Sequence, residues 1–375
     1  MPGPPLPFED LADSWAAARP PQAGDHLDSA ACSRQSERVL EATAAHARHE
    51  AEVGGYVAQA AAGSLLQQGR SVIGGLVGMA AADVAFVESA TSALTVLLAA
   101  WRLPAGSTVA CLPGEYGPNL MLLRAAGLDP VSLPVDGAGR VDVGAVERLL
   151  AGRPPAFVHL THVGSHRGTV QPAAQVAAVC RAAGVPLVVD AAQALGHVDT
   201  DVGADVVYST SRKWLAGPRG VGVLAVRPAV AQQLNPPLTA WDKAEPPMLA
   251  LESHEGHVAG RVGLVLAVGE HLAAGPDRVR ARLAALGRTA REVLDGRGGW
   301  RVVEAPDEPS SITTLRPPDG VDVAAARLRL LGDHGIVTTA AGAERAPGEM
   351  TGPVLRVSPH VDATLDQLDA LAAAL

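Results

Sequence analysis

Seven short apolar runs rich in β-branched residues alternate with helical patterns, and this alternation constrains the fold more than any other feature of the sequence. The runs cover residues 84–87, 108–112, 130–135, 157–161, 187–189, 206–209 and 221–226, and helical patterns at 93–101, 119–126, 143–151 and 173–183 separate most of them. Strands that alternate with helices form a mostly parallel sheet. The sequence therefore predicts an α/β domain. An antiparallel neighbour is expected at 206–209 and 221–226, which leave no room for a helix between them.

The pattern differs at the two ends of the chain. Residues 1–25 are rich in proline and predict an N-terminal arm, and two helices are expected over 33–62 and 64–82. A proline-rich loop is expected at 235–250, followed by helices at 259–273 and 278–294. Strands at 300–303, 311–315, 336–339 and 355–357, a helix at 323–334 and a closing helix complete the chain. We therefore predict a large domain over 26–258, then a linking helix and a small C-terminal α+β domain over 259–375.

Composition excludes several classes of function. The 375 residues are 48% hydrophobic, carry a net charge of -9 and contain no basic run, so nucleic acid and anionic membranes are poor partners. No apolar stretch approaches the roughly 18 residues of a membrane helix, and the N-terminus lacks signal-peptide features. Three widely spaced cysteines predict no disulfide framework, and no histidine spacing predicts a metal site. A cytoplasmic protein is expected.

Chemistry that needs a primary amine has only two candidate side chains, because the sequence contains only Lys213 and Lys243 as lysines. Lys213 follows a predicted strand and precedes a turn rich in glycine and proline, whereas Lys243 lies in the proline-rich loop and is read as a surface residue. A lysine amine can bind an aldehyde if desolvation or nearby cations lower its pKa. Arg212 is such a cation in sequence, although for Lys213 alone a surface position is the simpler interpretation.

Two further segments place polar side chains after predicted strands. Asp190 ends a buried strand, where open parallel sheets bind ligands, and Gln193 adds a second polar group to the same loop. An ordinary helix cap is an equally good interpretation of Asp190. Ala90 and Thr91 open a helix after the first strand of the domain, a position suited to phosphate as well as to simple capping.

Taken together, these segments resemble the class V group of fold-type I enzymes that depend on pyridoxal 5′-phosphate (PLP). The resemblance is carried by Asp190 and Gln193 upstream of Lys213, and by Ala90 and Thr91 far upstream. Further matching segments lie at 26–31, 168–172, 252–257 and 355–360. The resemblance implies an α/β large domain like that of aspartate aminotransferase. It would hold a mostly parallel seven-stranded sheet, with a small C-terminal α+β domain beside it.

The same resemblance implies roles for individual residues. Lys213 would bind PLP covalently and act as the catalytic residue, while Asp190 would pair with the pyridine nitrogen and Gln193 with the phenolic oxygen. Ala90, Thr91 and Thr210 would bind the phosphate, and Tyr116 would stack on the ring. Arg356 would bind the α-carboxylate of the substrate. His257 would approach the phosphate from the partner subunit of a homodimer. Ser165 stands where some relatives carry asparagine, and its role is left open.

The positions of the cysteines restrict the reactions that this chain could catalyse. Cysteine desulfurases of this group need a nucleophilic cysteine near the C-terminus, and no cysteine follows Cys180 in this sequence. The chain is most similar to the C–S lyases that act on a cysteine-conjugate sulfoxide. It would cleave hercynylcysteine sulfoxide to a sulfenic acid, the precursor of ergothioneine, with release of pyruvate and ammonia. The alternatives are a class V aminotransferase and a non-catalytic binding subunit.

The resemblance does not say which residues bind the trimethylammonium group of the substrate, or which thiol reduces the sulfenic acid. A trimethylammonium group suits an aromatic face, for which Tyr56, Trp214 and Trp241 are candidates. A thiol must reduce the sulfenic acid to give ergothioneine, and whether Cys32 or an external thiol takes part is left open.

Overall fold

The computed structural model describes residues 6–236 and 247–375. Its strands are β1 Asp25–His26, β2 Val84–Val87, β3 Thr108–Cys111, β4 Asp129–Ser132, β5 Phe157–Thr161, β6 Leu187–Asp190, β7 Val206–Thr210, β8 Gly222–Val226, β9 Arg301–Val302, β10 Thr313–Arg316, β11 Ile336–Val337, β12 Thr339–Ala341 and β13 Val354–Val357. Its α-helices are α1 Glu9–Ala17, α2 Glu37–Val53, α3 Gly55–Ala61, α4 Gly63–Leu76, α5 Ala90–Trp101, α6 Gly117–Ala125, α7 Val143–Gly152, α8 Ala173–Ala183, α9 Pro228–Ala231, α10 Val258–Ala274, α11 Pro276–Leu294, α12 Val323–His334 and α13 Leu365–Ala374.

A seven-stranded sheet with the order β2-β8-β7-β6-β5-β3-β4 forms the centre of the fold. Six strands run parallel, and β8 is antiparallel to both of its neighbours. All seven predicted strands are present in it, including the antiparallel neighbour, so the predicted α/β fold is confirmed. The register pairs Thr161 with Asp190 and Asp190 with Tyr208, which brings the carboxyl ends of β5, β6 and β7 together.

Residues alternate between the two faces of this sheet. Val188 and Val206 pack with α5 on one face, whereas Val189 and Val207 pack on the other face with residues of α4, α7, α8 and α10. Because successive side chains of a strand point to opposite faces, a strand buried on both faces is apolar throughout. This explains why the runs that identified the strands are continuous rather than alternating.

A second, four-stranded antiparallel sheet lies in the C-terminal part, with the order β12-β13-β10-β9. Its core cluster contains Leu315 and Leu355 from the sheet, Leu286 from α11, and Leu6 and Leu27 from the N-terminal segment. Strand β1 pairs in parallel with β11, so the start of the chain packs on the small sheet. The division into 1–25, 26–258 and 259–375 remains our proposal.

Two local features differ from the sequence analysis. The segment predicted as an arm contains the helix α1, and the helix expected over 33–62 is interrupted at Gly54, whose φ of 89° is left-handed. Glycine adopts such a φ without strain, so the interruption requires little energy. Most of the predicted loop at 235–250, with Trp241 and Lys243, lies outside the described residues.

No described helix is by itself long and apolar enough to cross a bilayer. Helices α10 and α11, which are bent by 83° at their junction, reach that length and apolarity only as a pair.

Candidate active site

A cavity of about 270 Å³ lies at the carboxyl edge of the central sheet, between it and the small sheet. The strand ends of β5, β6 and β7 contribute Thr161, Asp190 and Thr210, and the small sheet contributes Thr339 and Arg356. The other lining residues are Ala30, Ala31, Ser89, Ala90, Thr91, Tyr116, Asn119, Val163, Ser165, Ala192, Gln193, Arg212, Lys213 and Arg345. The structure therefore brings together every predicted site residue except His257.

Lys213 lies on the turn between β7 and β8, with its amine buried at the cavity. Burial lowers the pKa of this amine to about 7, and the charges of Arg212, Arg356 and Arg345 act in the same direction, against the attraction of Asp190. Among the residues that the structure describes, no carboxylate forms an ion pair with this amine within 4 Å. The amine can therefore be neutral near neutral pH, as a nucleophile or a base must be.

The turn that presents Lys213 is tightly packed. Ala216 has a left-handed φ of 53°, and its N–H donates to the Lys213 carbonyl at 2.8 Å. The next side chain, Trp214, is fully buried and stacks on His197 at 3.8 Å between ring centroids. A non-glycine residue with this φ persists only where the surrounding packing determines it. The position of the lysine is therefore fixed by the core beneath it.

Asp190 accepts two hydrogen bonds at the floor of the cavity. Its Oδ2 accepts from Asn119 Nδ2 at 2.9 Å, and its Oδ1 accepts from the backbone N–H of Ala192 at 2.8 Å. Gln193 beside it donates to the carbonyl of Ala30 at 2.8 Å and accepts from the indole N–H of Trp214 at 3.0 Å. These bonds fix both side chains, and one N–H of the Gln193 amide has no partner among the described residues.

A buried polar network that the sequence analysis missed lies beneath Asp190. Glu115 accepts from Thr161 Oγ1 at 2.7 Å and from Asn119 Nδ2 at 3.0 Å, and it contacts His159 Nδ1 at 2.9 Å. His159 Nε2 contacts the hydroxyl of Tyr208 at 2.8 Å. A histidine within the buried apolar strand β5 was the available signal, because buried polar groups need partners.

This network contains an ion pair. Burial alone would raise the pKa of Glu115, but His159 and the hydrogen bonds hold it below its usual value. Burial alone would lower the pKa of His159, but Glu115 raises it above the usual value. Asn119 connects the pair to Asp190, so the orientation of the cavity carboxylate depends on a charged pair in the core.

The end of the cavity opposite the small sheet is formed by the N-terminus of α5. Ser89 caps this helix by accepting from the N–H of Ser92 at 3.0 Å, and Ala90, Thr91 and Thr210 line the cavity around it. A helix N-terminus leaves amide hydrogens unpaired and carries a partial positive charge, so it suits a phosphate group. Thr210 donates only a long bond, 3.4 Å, to the Val221 carbonyl.

Arg356 lies at the small-sheet side of the cavity and is 1% exposed. Its Nη1 donates to the carbonyl of Ser165 at 2.8 Å and its Nη2 to Asp28 at 3.0 Å and to Thr339 Oγ1 at 3.3 Å. The buried Nε has no partner among the described residues, and the hydroxyl of Ser165 has none either. A guanidinium has five N–H groups, so donors remain for a carboxylate.

Four of the residues considered in the sequence analysis do not line the cavity. His257, the residue before α10, is exposed on the outer surface of the chain, and its contact with a partner stays a prediction. Trp214 is enclosed by packing and Tyr56 is 81% exposed on α3, so neither ring lines the cavity of this chain, and contact of either with a trimethylammonium group stays a prediction. Cys32 does not line the cavity, and burial raises the pKa of its thiol. The candidate Trp241 lies outside the described residues.

Comparison with known proteins places this geometry in a family. The family model described as aminotransferase class-V matches residues 26–371. The chain belongs to this family. It is 58% identical over 369 residues to a probable hercynylcysteine sulfoxide lyase of Mycobacterium tuberculosis, covering 98% of this chain and 93% of the relative. It is 30% identical over 343 residues to an isopenicillin N epimerase of Streptomyces clavuligerus, covering 83% and 84%.

Solved structures show the same fold. A cysteine desulfurase of Escherichia coli aligns with a TM-score of 0.84 at 22% identity, covering 97% of each chain. A cystine C–S lyase in complex with cysteine persulfide aligns with a TM-score of 0.83 at 18% identity, covering 94% of this chain and 97% of that one. The fold-type I architecture expected from the resemblance is thereby confirmed.

The chain is accordingly a PLP-dependent enzyme, and its cavity fits that cofactor. An amine with a pKa of about 7, a fixed carboxylate and the N-terminus of a 12-residue helix line one cavity. These are the groups that an aldehyde, a pyridine nitrogen and a phosphate require. Among the described residues, no group of three or more His, Cys, Asp or Glu side chains could hold a metal ion.

Proposed function

We propose that this chain is a PLP-dependent C–S lyase that cleaves hercynylcysteine sulfoxide to a sulfenic acid, pyruvate and ammonia. The main support is the 58% identity over 98% of the chain to the probable lyase of that substrate. The sequence after Cys180 contains no cysteine, which argues against the alternative of a cysteine desulfurase with its thiol in that region. The described residues of the cavity supply no thiol either.

In this proposal, Lys213 binds the cofactor, Asp190 pairs with its pyridine nitrogen and Gln193 with its phenolic oxygen. Ala90, Thr91 and Thr210 hold its phosphate, and Tyr116 stacks on its ring. Bound PLP supplies an electron sink that makes the Cα–H of the substrate acidic. The support is that all these residues line one cavity and that the amine of Lys213 has a pKa of about 7.

Two residues of the chain then act on the substrate, one by binding it and one by accepting a proton from it. Arg356 binds the α-carboxylate through its remaining N–H groups, which orients the Cα–H. Once the substrate's amine had replaced Lys213 on the cofactor, the freed neutral amine of Lys213 would accept the Cα proton. The C–S bond would then break with both electrons leaving on sulfur as the sulfenate, which takes up a proton. Hydrolysis of the three-carbon remainder gives pyruvate and ammonia, and we propose that an external thiol reduces the sulfenic acid.

We further propose that the enzyme is a cytoplasmic homodimer in which His257 of one subunit approaches the phosphate of the other. His257 is exposed, and Tyr56 and Val57 on α3 are 81% and 58% exposed. Exposed apolar side chains that lie together favour an interface. Light scattering is expected to give twice the mass of the chain, and the mass of one chain would contradict the dimer.

The test of the reaction is incubation of the holoenzyme with cysteine conjugates and their sulfoxides, with pyruvate followed over time. We expect pyruvate from hercynylcysteine sulfoxide without any added amino acceptor. A requirement for a keto acid would instead identify an aminotransferase. Lys213→Ala is expected to lose the visible absorption band of the bound cofactor together with turnover.

A further inference from the structure

The charges that line the cavity do not balance. The charged side chains are one carboxylate, Asp190, and the guanidinium groups of Arg212, Arg345 and Arg356, beside the amine of Lys213 with its pKa of about 7. Asp28 lies behind the cavity and compensates part of the charge of Arg356 at 3.0 Å. A concave site with such an excess of positive charge attracts ligands that carry several negative charges.

The proposed function assigns two of these basic groups. Lys213 binds the cofactor and Arg356 takes the α-carboxylate, whereas Arg212 lies beside Lys213 on the same turn. Arg345, on a different element, has no such assignment. It lies on the small-sheet side with Arg356, and its charge contributes to lowering the pKa of Arg356, although burial is the larger cause.

The guanidinium of Arg345 has no protein partner in the part of the chain that the structure describes. No carboxylate lies within 4 Å of it and no side-chain hydrogen bond engages it there, although it is half-buried and lines the cavity. Nearby arginines behave differently: Arg167 pairs with Glu349 and Arg356 pairs with Asp28. A half-buried guanidinium with free N–H donors can bind an anionic ligand through charge-assisted hydrogen bonds.

The turn that carries Arg345 is held in place. Arg345 ends the 3₁₀ turn Ala343–Arg345, whose Glu344 carbonyl packs so closely on Gly117 at the start of α6 that a Cβ there would collide with it. Four residues further on, Glu349 pairs with Arg167 and lies 3.3 Å from His166 Nε2. These contacts anchor the loop on both sides of Arg345. The packing of the loop therefore fixes the position of the guanidinium at the cavity.

We propose that Arg345 is the subsite for a second carboxylate of the substrate, carried by the group attached to sulfur. This proposal rests on the proposed function, because it presumes that Arg356 holds the α-carboxylate. It predicts a preference for cysteine-conjugate sulfoxides whose sulfur substituent bears an anionic group. The betaine part of hercynylcysteine sulfoxide carries such a carboxylate.

The test compares two probes that differ only in charge, S-(2-carboxyethyl)-L-cysteine sulfoxide and its carbamoyl isostere. The wild-type holoenzyme is expected to have a KM about 10- to 100-fold lower for the carboxylate probe, the range of a charge-assisted hydrogen bond. Arg345→Gln is expected to abolish this difference by raising the KM of the carboxylate probe alone, with kcat little changed. Arg345→Lys should restore part of it, and the exposed Arg329→Gln on α12 is the matched control.

A second readout separates this proposal from the proposed function. Binding of each probe is measured through the change that it causes in the visible absorption of the bound cofactor. If no conjugate yields pyruvate but the carboxylate probe still binds more tightly in an Arg345-dependent manner, the lyase proposal fails and the subsite stands. Two outcomes would overturn the subsite. In the first, Arg345→Gln prefers the carboxylate probe as strongly as the wild type does. In the second, Arg345→Gln binds both probes more weakly by the same factor.

Discussion

The single residue on which the chemistry depends is a lysine with an unusual environment. Burial lowers the pKa of Lys213 to about 7 from 10.5, so the folded apoenzyme holds a neutral amine at a pH where an exposed lysine is charged. Lysine is also rare in this sequence, which contains only two. The sequence could therefore identify the residue, but only the packing around it gives the pKa.

We predict that the rate of PLP incorporation into the apoenzyme rises with pH through a midpoint near 7, because the neutral amine is the nucleophile. Arg345 lowers the pKa of Lys213, so Arg345→Gln should move the midpoint upward. The measurement is the growth of the visible absorption band after mixing, over a series of buffers. A midpoint near 10.5 would show that the amine is solvated rather than buried.

A second residue-scale prediction concerns the ion pair of Glu115 and His159. The lowered pKa of Glu115 stabilises the fold above pH 4.5, an effect lost as pH falls through the folded pKa. The raised pKa of His159 stabilises it below pH 6.5, an effect lost as pH rises through the folded pKa. Both contributions are therefore fully present between pH 4.5 and 6.5.

Glu115→Gln is expected to destabilise the holoenzyme most in that window, by about 3–5 kcal/mol, the cost of removing one partner of a buried pair. Urea unfolding at several pH values measures it. The exposed Glu147→Gln on α7 is the control and should change stability by about 0.5 kcal/mol or less. A loss independent of pH would mean that the pair is not ionised.

At the scale of elements, the close packing of the Arg345 turn on α6 gives a prediction. Gly117→Ala places a Cβ against the Glu344 carbonyl, so the turn must move away. We expect the KM of the carboxylate probe to rise about tenfold, as for a lost hydrogen bond, while the visible band of the cofactor is retained. Gly75→Ala, in α4 with open space around it, should instead stabilise the protein by up to about 1 kcal/mol. An unchanged KM in Gly117→Ala would show that the turn does not position Arg345.

Elements also show how far the sequence could predict this fold. The strands of the central sheet were predictable because burial on both faces requires continuous apolar runs, as in β6. The pairing of β1 with β11 was not, because two-residue strands more than 300 residues apart carry no local signal. For the same reason the network of Glu115, His159 and Tyr208 was missed, since it joins the loop before α6 to β5 and β7 only in three dimensions.

At the scale of the whole molecule, His257 is the one predicted site residue that a single chain leaves outside the cavity. It is exposed at the start of α10, next to the turn before β8, where a Cβ on Gly220 would lie 4.0 Å from its ring. The dimer proposed above would carry it to the partner's phosphate site. Two variants that each disable a different component can test this arrangement.

The variants are Lys213→Ala and His257→Ala, each expected to have little activity as a homodimer. In a mixed dimer, the subunit with an intact Lys213 receives an intact His257 from its partner, so one of two sites is complete. Equal mixing with subunit exchange should therefore restore about a quarter of wild-type pyruvate release, since about half of the dimers are mixed. If His257 served the site of its own subunit, no mixed dimer would hold a complete site and mixing would restore nothing. Activity of the His257→Ala homodimer equal to wild type would remove this residue from the site altogether.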